Sequence, residues 1–341
     1  MATYRALILK GKGGLDQLEV VELPVPEPKA GEARIRVRAT GAGATDIIMR
    51  TGSYLYAPAF PFSPGYEVVG DVDAVGPGVT GLSVGQRVCA LVVYGGQAEF
   101  LVREAKHFIP VPEGLDDAEV AALVLNYMTA FQMTHRSASM HEGQTALVTG
   151  ANGGVGSAAL ELLQVIGAKA IGSASKKHFD LVRQLGAEPI ESRGASLADQ
   201  VRSILGSGVD VSFDGLGGAG TRECVRATRR GGLVVGYGFV AAQKDNRFSM
   251  PAMLRGLAAL YLGARLAGRR STFYGITQLY RKDPRPFRED MAKLLGLLQQ
   301  RKIQPKIAAR LPLLAGVEAQ KMLMEGGVAG KIVLLRDDTG R

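Results

Sequence analysis

The run Ala146-Leu147-Val148-Thr149-Gly150-Ala151-Asn152-Gly153-Gly154-Val155-Gly156 constrains this chain more than any other segment. An apolar, β-forming stretch enters a glycine-dense turn that opens at once into a helical pattern. Val155, Ala159, Leu162, Leu163 and Ile166 recur at i, i+4, i+7, i+8 and i+11, one face of a 3.6-residue period. A strand, a glycine turn and a helix start together make an anion site, because unpaired N–H groups and the positive end of the helix dipole point the same way. The expected cradle is Asn152, Gly153, Gly154 and Val155, where glycine lets the backbone approach a pyrophosphate. A glycine fingerprint alone is a weak signal, and a structural βα turn is its plain alternative. Repetition of the strand–helix unit downstream favours a dinucleotide.

The next strand, Ala168-Lys169-Ala170-Ile171-Gly172, is expected to end near the adenosine ribose. A carboxylate there would accept from a free 2′-hydroxyl and mark NAD. Instead the chain reads Ser173-Ala174-Ser175-Lys176-Lys177-His178. Hydroxyls and ammonium groups suit a 2′-phosphate, so Ser173, Ser175, Lys176 and His178 point to NADPH. The competing reading is that Lys176 and Lys177 only solvate a helix start.

Organisation follows from where the pattern changes. Up to residue 125 short apolar runs (Ala6–Leu9, Ala33–Arg38, Val68–Val75, Arg87–Val93) are punctuated by Gly and Pro, a β-rich domain. From residue 126 to 262 strands and helices alternate. Strands Thr145–Val148, Lys169–Ile171, Val209–Phe213 and Leu233–Gly236 are interleaved with helices Val155–Ile166, Lys177–Leu185, Leu197–Leu205 and Gly220–Arg229. That alternation predicts an α/β doubly wound parallel sheet. Residues 263–341 look like a return to the first domain, with helices Phe287–Gln300 and Val317–Met324 and a last strand Lys331–Leu335.

Composition sets the outer bounds. At 341 residues there is room for two domains, and 46% apolar with 21% charged residues is ordinary for a soluble enzyme. No 18-residue apolar run suggests a membrane span, and the N-terminus lacks a secretory pattern. Two cysteines without paired spacing indicate a reducing compartment, so a cytoplasmic location is expected. The net charge of +9 is dispersed and poor in interleaved aromatics, which argues against nucleic acid and for an anionic cofactor or substrate. The basic stretch Arg265, Arg269, Arg270, Arg281, Lys282 reads as a solvated face, with a local patch as the alternative.

Further segments resemble the medium-chain dehydrogenase/reductase superfamily, in its zinc-independent quinone oxidoreductase branch. Gly65-Tyr66-Glu67-Val68-Val69-Gly70, Val75-Gly76-Pro77-Gly78-Val79, Asn126-Tyr127-Met128-Thr129-Ala130, Phe213-Asp214-Gly215-Leu216-Gly217-Gly218 and Gly330-Lys331-Ile332-Val333-Leu334 carry the likeness. The Asn126–Ala130, Ser173–His178 and Gly215–Gly218 segments are most similar to the vesicle-amine-transport-protein-like subgroup. The resemblance implies a GroES-like β-rich domain with a Rossmann domain, the nicotinamide lying between them. It also implies cofactor contacts from Asn126, Thr129, Arg193, Gly215, Leu216, Gly236, Tyr237, Gly238 and Lys331. Zinc-dependent relatives carry Cys and His where this chain has Gly43 or Ala44 and Tyr66, so no metal is expected; Cys89 and Cys224 read as core residues. The quinone-reductase pattern is broken at Gly43, Ile48 and Ser192.

The activity implied is hydride transfer from NADPH to a quinone or an α,β-unsaturated carbonyl, a small electrophile. Tyr66, at the lost His position, is the first candidate to hydrogen-bond the developing oxyanion, with Tyr54 and Asp46 as further candidate catalytic residues and Tyr56 or Tyr127 as substitutes. A short-chain dehydrogenase is excluded, since Tyr237, Tyr261, Tyr274 and Tyr280 all lack a Lys four residues on. Two alternatives stay open: a non-catalytic NADPH- or lipid-binding protein on this fold, and an enoyl thioester reductase. A homodimer is expected from the family and from the apolar candidate edge strand Leu233–Val240.

Overall fold

The computed structural model describes residues 2–238, 243–244 and 247–337. They divide into two compact units, 1–125 with 287–341, and 126–286.

In the first unit β1 (Thr3–Leu9) and β2 (Leu18–Pro24) form an antiparallel hairpin. Next come β3 (Glu32–Ala42), β4 (Glu67–Val75), β5 (Arg87–Leu91), β6 (Phe100–Glu104) and β7 (Ile109–Pro110). The long strand β3 shows why a sheet forms here. Ala33, Ile35, Val37 and Ala39 alternate inward and are fully buried, a period of two that only a strand satisfies. Between them Arg34 and Arg38 pair with the β4 carboxylates Asp73, at 2.6 Å, and Asp71, at 3.4 Å. Val68, Val72, Val88, Phe108 and Leu334 complete that core.

The second unit holds β8 (Thr145–Thr149), β9 (Lys169–Ala174), β10 (Ala187–Glu191), β11 (Val209–Asp214) and β12 (Thr228–Gly236), then a short hairpin, β13 (Gln243–Lys244) with β14 (Arg247–Phe248), and β15 (Arg270–Phe273). Its six-stranded sheet runs β10-β9-β8-β11-β12-β15, every pair parallel. The chain winds outward from β8 to β10, then crosses back to β11 on the other side. That reversal opens a crevice at the carboxyl ends of β8 and β11, where this class of sheet binds ligands.

Three expectations need correction here. The helix placed at Gly220–Arg229 ends at Ala227, because Thr228 turns into β12 while its hydroxyl donates to the Cys224 carbonyl at 2.7 Å. Residues 263–286, which the sequence pattern places with the first domain, belong to the second unit, where Arg270–Phe273 pairs with Leu233–Gly236 as a sixth strand. It follows that Leu233–Gly236 is not an edge strand; the remainder of that candidate, 239–240, lies outside the described residues.

The chain then returns to the first unit through the helix Arg285–Gln299, β16 (Ile307–Pro312), the helix Gly316–Glu325 and β17 (Lys331–Leu335). There β17 runs parallel to β16 and antiparallel to β3, completing a seven-stranded sheet. Among the described residues no helix is long and apolar enough to cross a membrane.

Candidate functional site

The glycine turn sits where β8 gives way to the helix Gly154–Ile166. Its N-cap is Gly153, in extended backbone, and no side chain caps the first turn. The first N–H groups of that turn have no acceptor within the helix and are available to an anion. Gly156 is what lets the turn fold so tightly. A Cβ there would lie 2.2 Å from the Gly150 carbonyl oxygen and 2.9 Å from the Ala151 Cα. Asn152, Gly153, Gly154 and Val155 are all half-buried, as an accessible cradle requires.

On the far side of the crevice Asp214 organises the second turn. Its carboxylate accepts from the backbone N–H groups of Leu216 at 3.0 Å and Gly217 at 3.1 Å, and from the Thr221 hydroxyl at 2.6 Å. Thr149 joins the two turns, accepting from the Gly215 N–H at 3.0 Å. Gly215, Leu216, Tyr237 and Gly238 are therefore brought together, with Gly236 at the end of β12. Burial first, then Asp214 and Cys224, raise the Tyr237 phenol above its ordinary range, so it stays protonated. The sequence marks Asp214 within an Asp-x-x-Gly-Gly turn and assigns cofactor contacts to Gly215 and Leu216 alone; the carboxylate's part in holding that turn comes from the structure.

At the end of β9, Ser173 is fully buried, while Ser175, Lys176 and Lys177 are exposed and His178 is half-buried. The Ser173 hydroxyl and His178 Nε2 are buried polar atoms without a hydrogen-bond partner among the described residues, the mark of a group that completes its bonding to a ligand or water. Burial and then Lys177 lower the His178 pKa, so the ring is neutral at physiological pH. One partner here was missed from sequence. Glu191, at the end of β10, stands beside Ala174 in the parallel register and meets Lys176 at 3.5 Å. Arg193 is exposed; Asn126 and Thr129 are buried at 7% and 6% exposure.

The first unit gathers the candidate catalytic side chains at one end of β3, β4 and β17. Tyr66, 3% exposed, hydrogen-bonds hydroxyl to hydroxyl with the half-buried Tyr54. The Tyr54 ring also packs edge-on against Tyr56, with 5.8 Å between centroids. The backbone on either side of the Tyr66 side chain is also fixed. The Asp46 carboxylate accepts from the preceding Gly65 N–H at 3.2 Å and from Gly43 N–H at 2.8 Å. The Tyr66 carbonyl accepts from both Val92, at 3.0 Å, and Val93, at 2.9 Å. Val93 adopts a φ of 69° to do so, a left-handed backbone that costs a β-branched residue on the order of 1–3 kcal/mol. Tyr127 lies in the second unit instead, donating to Glu161 at 2.5 Å.

The residue after Tyr66 was unforeseen. Glu67 is fully buried and pairs with Lys331 of β17 at 2.5 Å, itself 5% exposed. Gly41 makes room for the pair, since a Cβ there would fall 1.9 Å from Glu67 Oε1. Lys331 was expected at the cofactor; its ammonium is spent on Glu67, and sequence separation hid that partner. Burial, opposed by the two backbone bonds and reinforced by Glu67, raises Asp46 to about 6. Its protonated form favours folding, an advantage present below the ordinary aspartate range and lost as pH rises through about 6.

The alcohol dehydrogenase GroES-like domain family matches residues 29–113 and the zinc-binding dehydrogenase family residues 154–282. The synaptic vesicle membrane protein VAT-1 homolog of Danio rerio is 31% identical over 338 residues, covering 97% of this chain and 70% of that protein. The chain belongs to the medium-chain dehydrogenase/reductase superfamily, in its VAT-1-like subgroup. A second relative within this oxidoreductase superfamily is the quinone oxidoreductase of Rattus norvegicus, 29% identical over 337 residues and 97% of either chain. A mycobacterial structure solved with NADPH superposes with a TM-score of 0.84 at 26% identity, over 97% of this chain and 99% of that one.

Gly43, Ala44 and Tyr66 offer no thiolate or imidazole where zinc-dependent members place ligands. Cys89 is buried in β5 with its thiol pushed up to about 12 by desolvation, and Cys224 is buried in the second unit. Among the described residues no cluster of three His, Cys, Asp or Glu side chains could hold a metal.

Proposed function

We propose that this chain is a zinc-independent, NADPH-dependent reductase that reduces quinones or the C=C bond of α,β-unsaturated carbonyls. Its main support is the uncapped glycine turn at Gly153–Gly156 followed, one strand on, by the orphaned polar atoms of Ser173 and His178. The first would hold the diphosphate. The second, with Ser175 and Lys176, would hold the adenosine 2′-phosphate through charge-assisted bonds. Bound NADPH supplies a hydride from its nicotinamide. Tyr66 serves the acceptor, donating to the oxygen on which negative charge develops, and a phenol is a competent donor at neutral pH. Asp46 does not touch that oxygen; it locks the Gly65 backbone and so orients the Tyr66 ring.

Glu191 favours a second reading, in which its carboxylate accepts from a free 2′-hydroxyl and the cofactor is NADH. Its pair with Lys176 is solvent-exposed and worth about 0–1 kcal/mol, so a phosphate dianion displaces it, and we keep NADPH. Steady-state turnover of both nicotinamides against a panel of enones, enoyl thioesters and quinones tests this. The expected result is preference for NADPH, with Lys176→Glu lowering efficiency with NADPH about 10- to 100-fold. Equal efficiency with both cofactors defeats the phosphate assignment, and tight cofactor binding without turnover makes the chain a binding protein. The purified protein is also expected to contain substoichiometric zinc and to keep its activity after chelation; one zinc per chain, with activity lost on its removal, overturns the metal-free assignment.

A cytoplasmic homodimer completes the reading. The outer edge of β15 carries no strand among the described residues, and Leu262 and Leu266 near it are 59% and 79% exposed. Antiparallel pairing of two copies about Ser271 and Thr272 sets Arg270 opposite Phe273 and avoids like charges facing. Sedimentation is expected to give a dimer that Thr272→Pro disrupts; a monomer at micromolar concentration sinks the idea.

A further inference from the structure

We infer that Tyr54 and Tyr66 act in series, Tyr54 passing a solvent proton to Tyr66 each time Tyr66 protonates the reduced substrate. The inference rests on the reductase reading above and adds a role for Tyr54 that the reading does not require. Tyr66 is 3% exposed, and Asp46 and the Val92–Val93 backbone fix it in place. A buried phenol that gives up its proton becomes a phenolate with little access to water, so it must be reprotonated through a neighbour. Its hydroxyl bonds to that of Tyr54, which is only half-buried. Tyr54 follows the helix Ala44–Arg50 in a loop whose next residue, Leu55, is 84% exposed, so water reaches this side of the pair.

The proton balance closes. An enone accepts hydride at the carbon β to its carbonyl, the resulting enolate oxygen takes one proton from the Tyr66 hydroxyl, and the enol so formed moves that proton's equivalent to the α carbon on tautomerising to the ketone. The Tyr66 phenolate takes the Tyr54 hydroxyl proton across the existing hydrogen bond, and Tyr54 is refilled from water. Net consumption is one NADPH and one proton per saturated ketone, with both phenols restored. Tyr54 thus acts through Tyr66 and does not itself meet the substrate.

Two measurements test the series arrangement. In the protein without cofactor, Tyr54→Phe is expected to move the Tyr66 Cζ resonance in a ¹³C-tyrosine NMR spectrum, and Tyr66→Phe to move that of Tyr54. In turnover, a proton inventory in mixed H₂O and D₂O is expected to curve for the parent protein and to become linear for Tyr54→Phe. That variant should lose on the order of 10-fold or more in turnover. Tyr66→Phe should lose about 10- to 1000-fold, and the double variant no more than Tyr66→Phe alone, because groups in series are not additive. An unmoved Tyr66 resonance, an unchanged inventory in Tyr54→Phe, or additive losses overturn the relay while leaving the reductase intact. Absence of NADPH oxidation by the parent protein with every acceptor overturns the reductase reading, and the relay with it.

Discussion

Replacing Lys331 with methionine is expected to cost about 3–5 kcal/mol of folding stability. Methionine keeps most of the side-chain volume, so the loss is one of charge. Glu67 is fully buried, and without the ammonium at 2.5 Å its carboxylate has no cation to offset its desolvation. The total stability of a domain is about 5–15 kcal/mol, so the variant should unfold at far lower urea concentration. The deficit should also grow with pH. Lys331 helps hold down the Asp46 pKa, whose value of about 6 reflects burial and the neighbouring Glu67. Once Lys331 is gone, two adjacent buried carboxylates face each other as pH rises through and above 6, whereas below that range Asp46 is protonated and the repulsion is relieved. Adding Glu67→Gln should recover much of the loss. A single variant within about 1 kcal/mol of the parent, flat in pH, would show that the pair is solvated after all.

Gly156→Ala is expected to weaken NADPH binding about 100-fold or more. Only one methyl group is added, but its carbon would stand 2.2 Å from the Gly150 oxygen and 2.9 Å from the Gly150 carbonyl carbon. Those are backbone atoms of the same turn, so no side chain can swing aside and the turn itself must move. Overpacking of this kind costs about 1–3 kcal/mol, and moving the turn also misaligns the N–H groups aimed at the diphosphate. Together they correspond to about two decades in affinity. Calorimetric titration with NADPH, beside a thermal melt showing that the variant still folds, checks the point. Binding within threefold of the parent would mean that the diphosphate does not lie on this turn.

Much of the architecture could be read from residue order, and the exceptions have physical causes. The βα turn at Thr149–Gly156 and the alternation in β3 are strong local signals, and the structure follows both. Three strand errors arose where local signals are weak. Ala187–Glu191 contains a proline and two glutamates, yet forms β10 because its neighbour β9 needs a partner. Arg270–Phe273 is four residues long and mostly polar, and only the exposed flank of β12 makes it a strand. Thr228 lay inside a helical pattern but bonds to Ser212 of β11 at 2.7 Å, so tertiary contact decided its state. The candidate site divides the same way. Tyr54, Tyr66 and Asp46 were identifiable as types at suggestive positions, whereas their mutual bonding was not. Glu191 reaches Lys176, and Lys331 reaches Glu67, only through strand register, which sequence spacing does not encode.

The insertion of residues 126–286 into the first unit carries a consequence for the order of assembly. During synthesis Glu67 emerges early and takes its place in β4, while its counter-charge waits on β17. A sheet that closes before β17 arrives holds a lone anion in its interior, so early closure is unfavourable and the host stays ajar. The insert, whose strands among the described residues pair with one another, can meanwhile fold as an independent module. When β17 docks against β3 it brings hydrogen bonds, apolar side chains and the missing cation in one step. β17 is the keystone of the first unit, and a ribosome that stalls before Lys331 releases a finished guest inside an unfinished host.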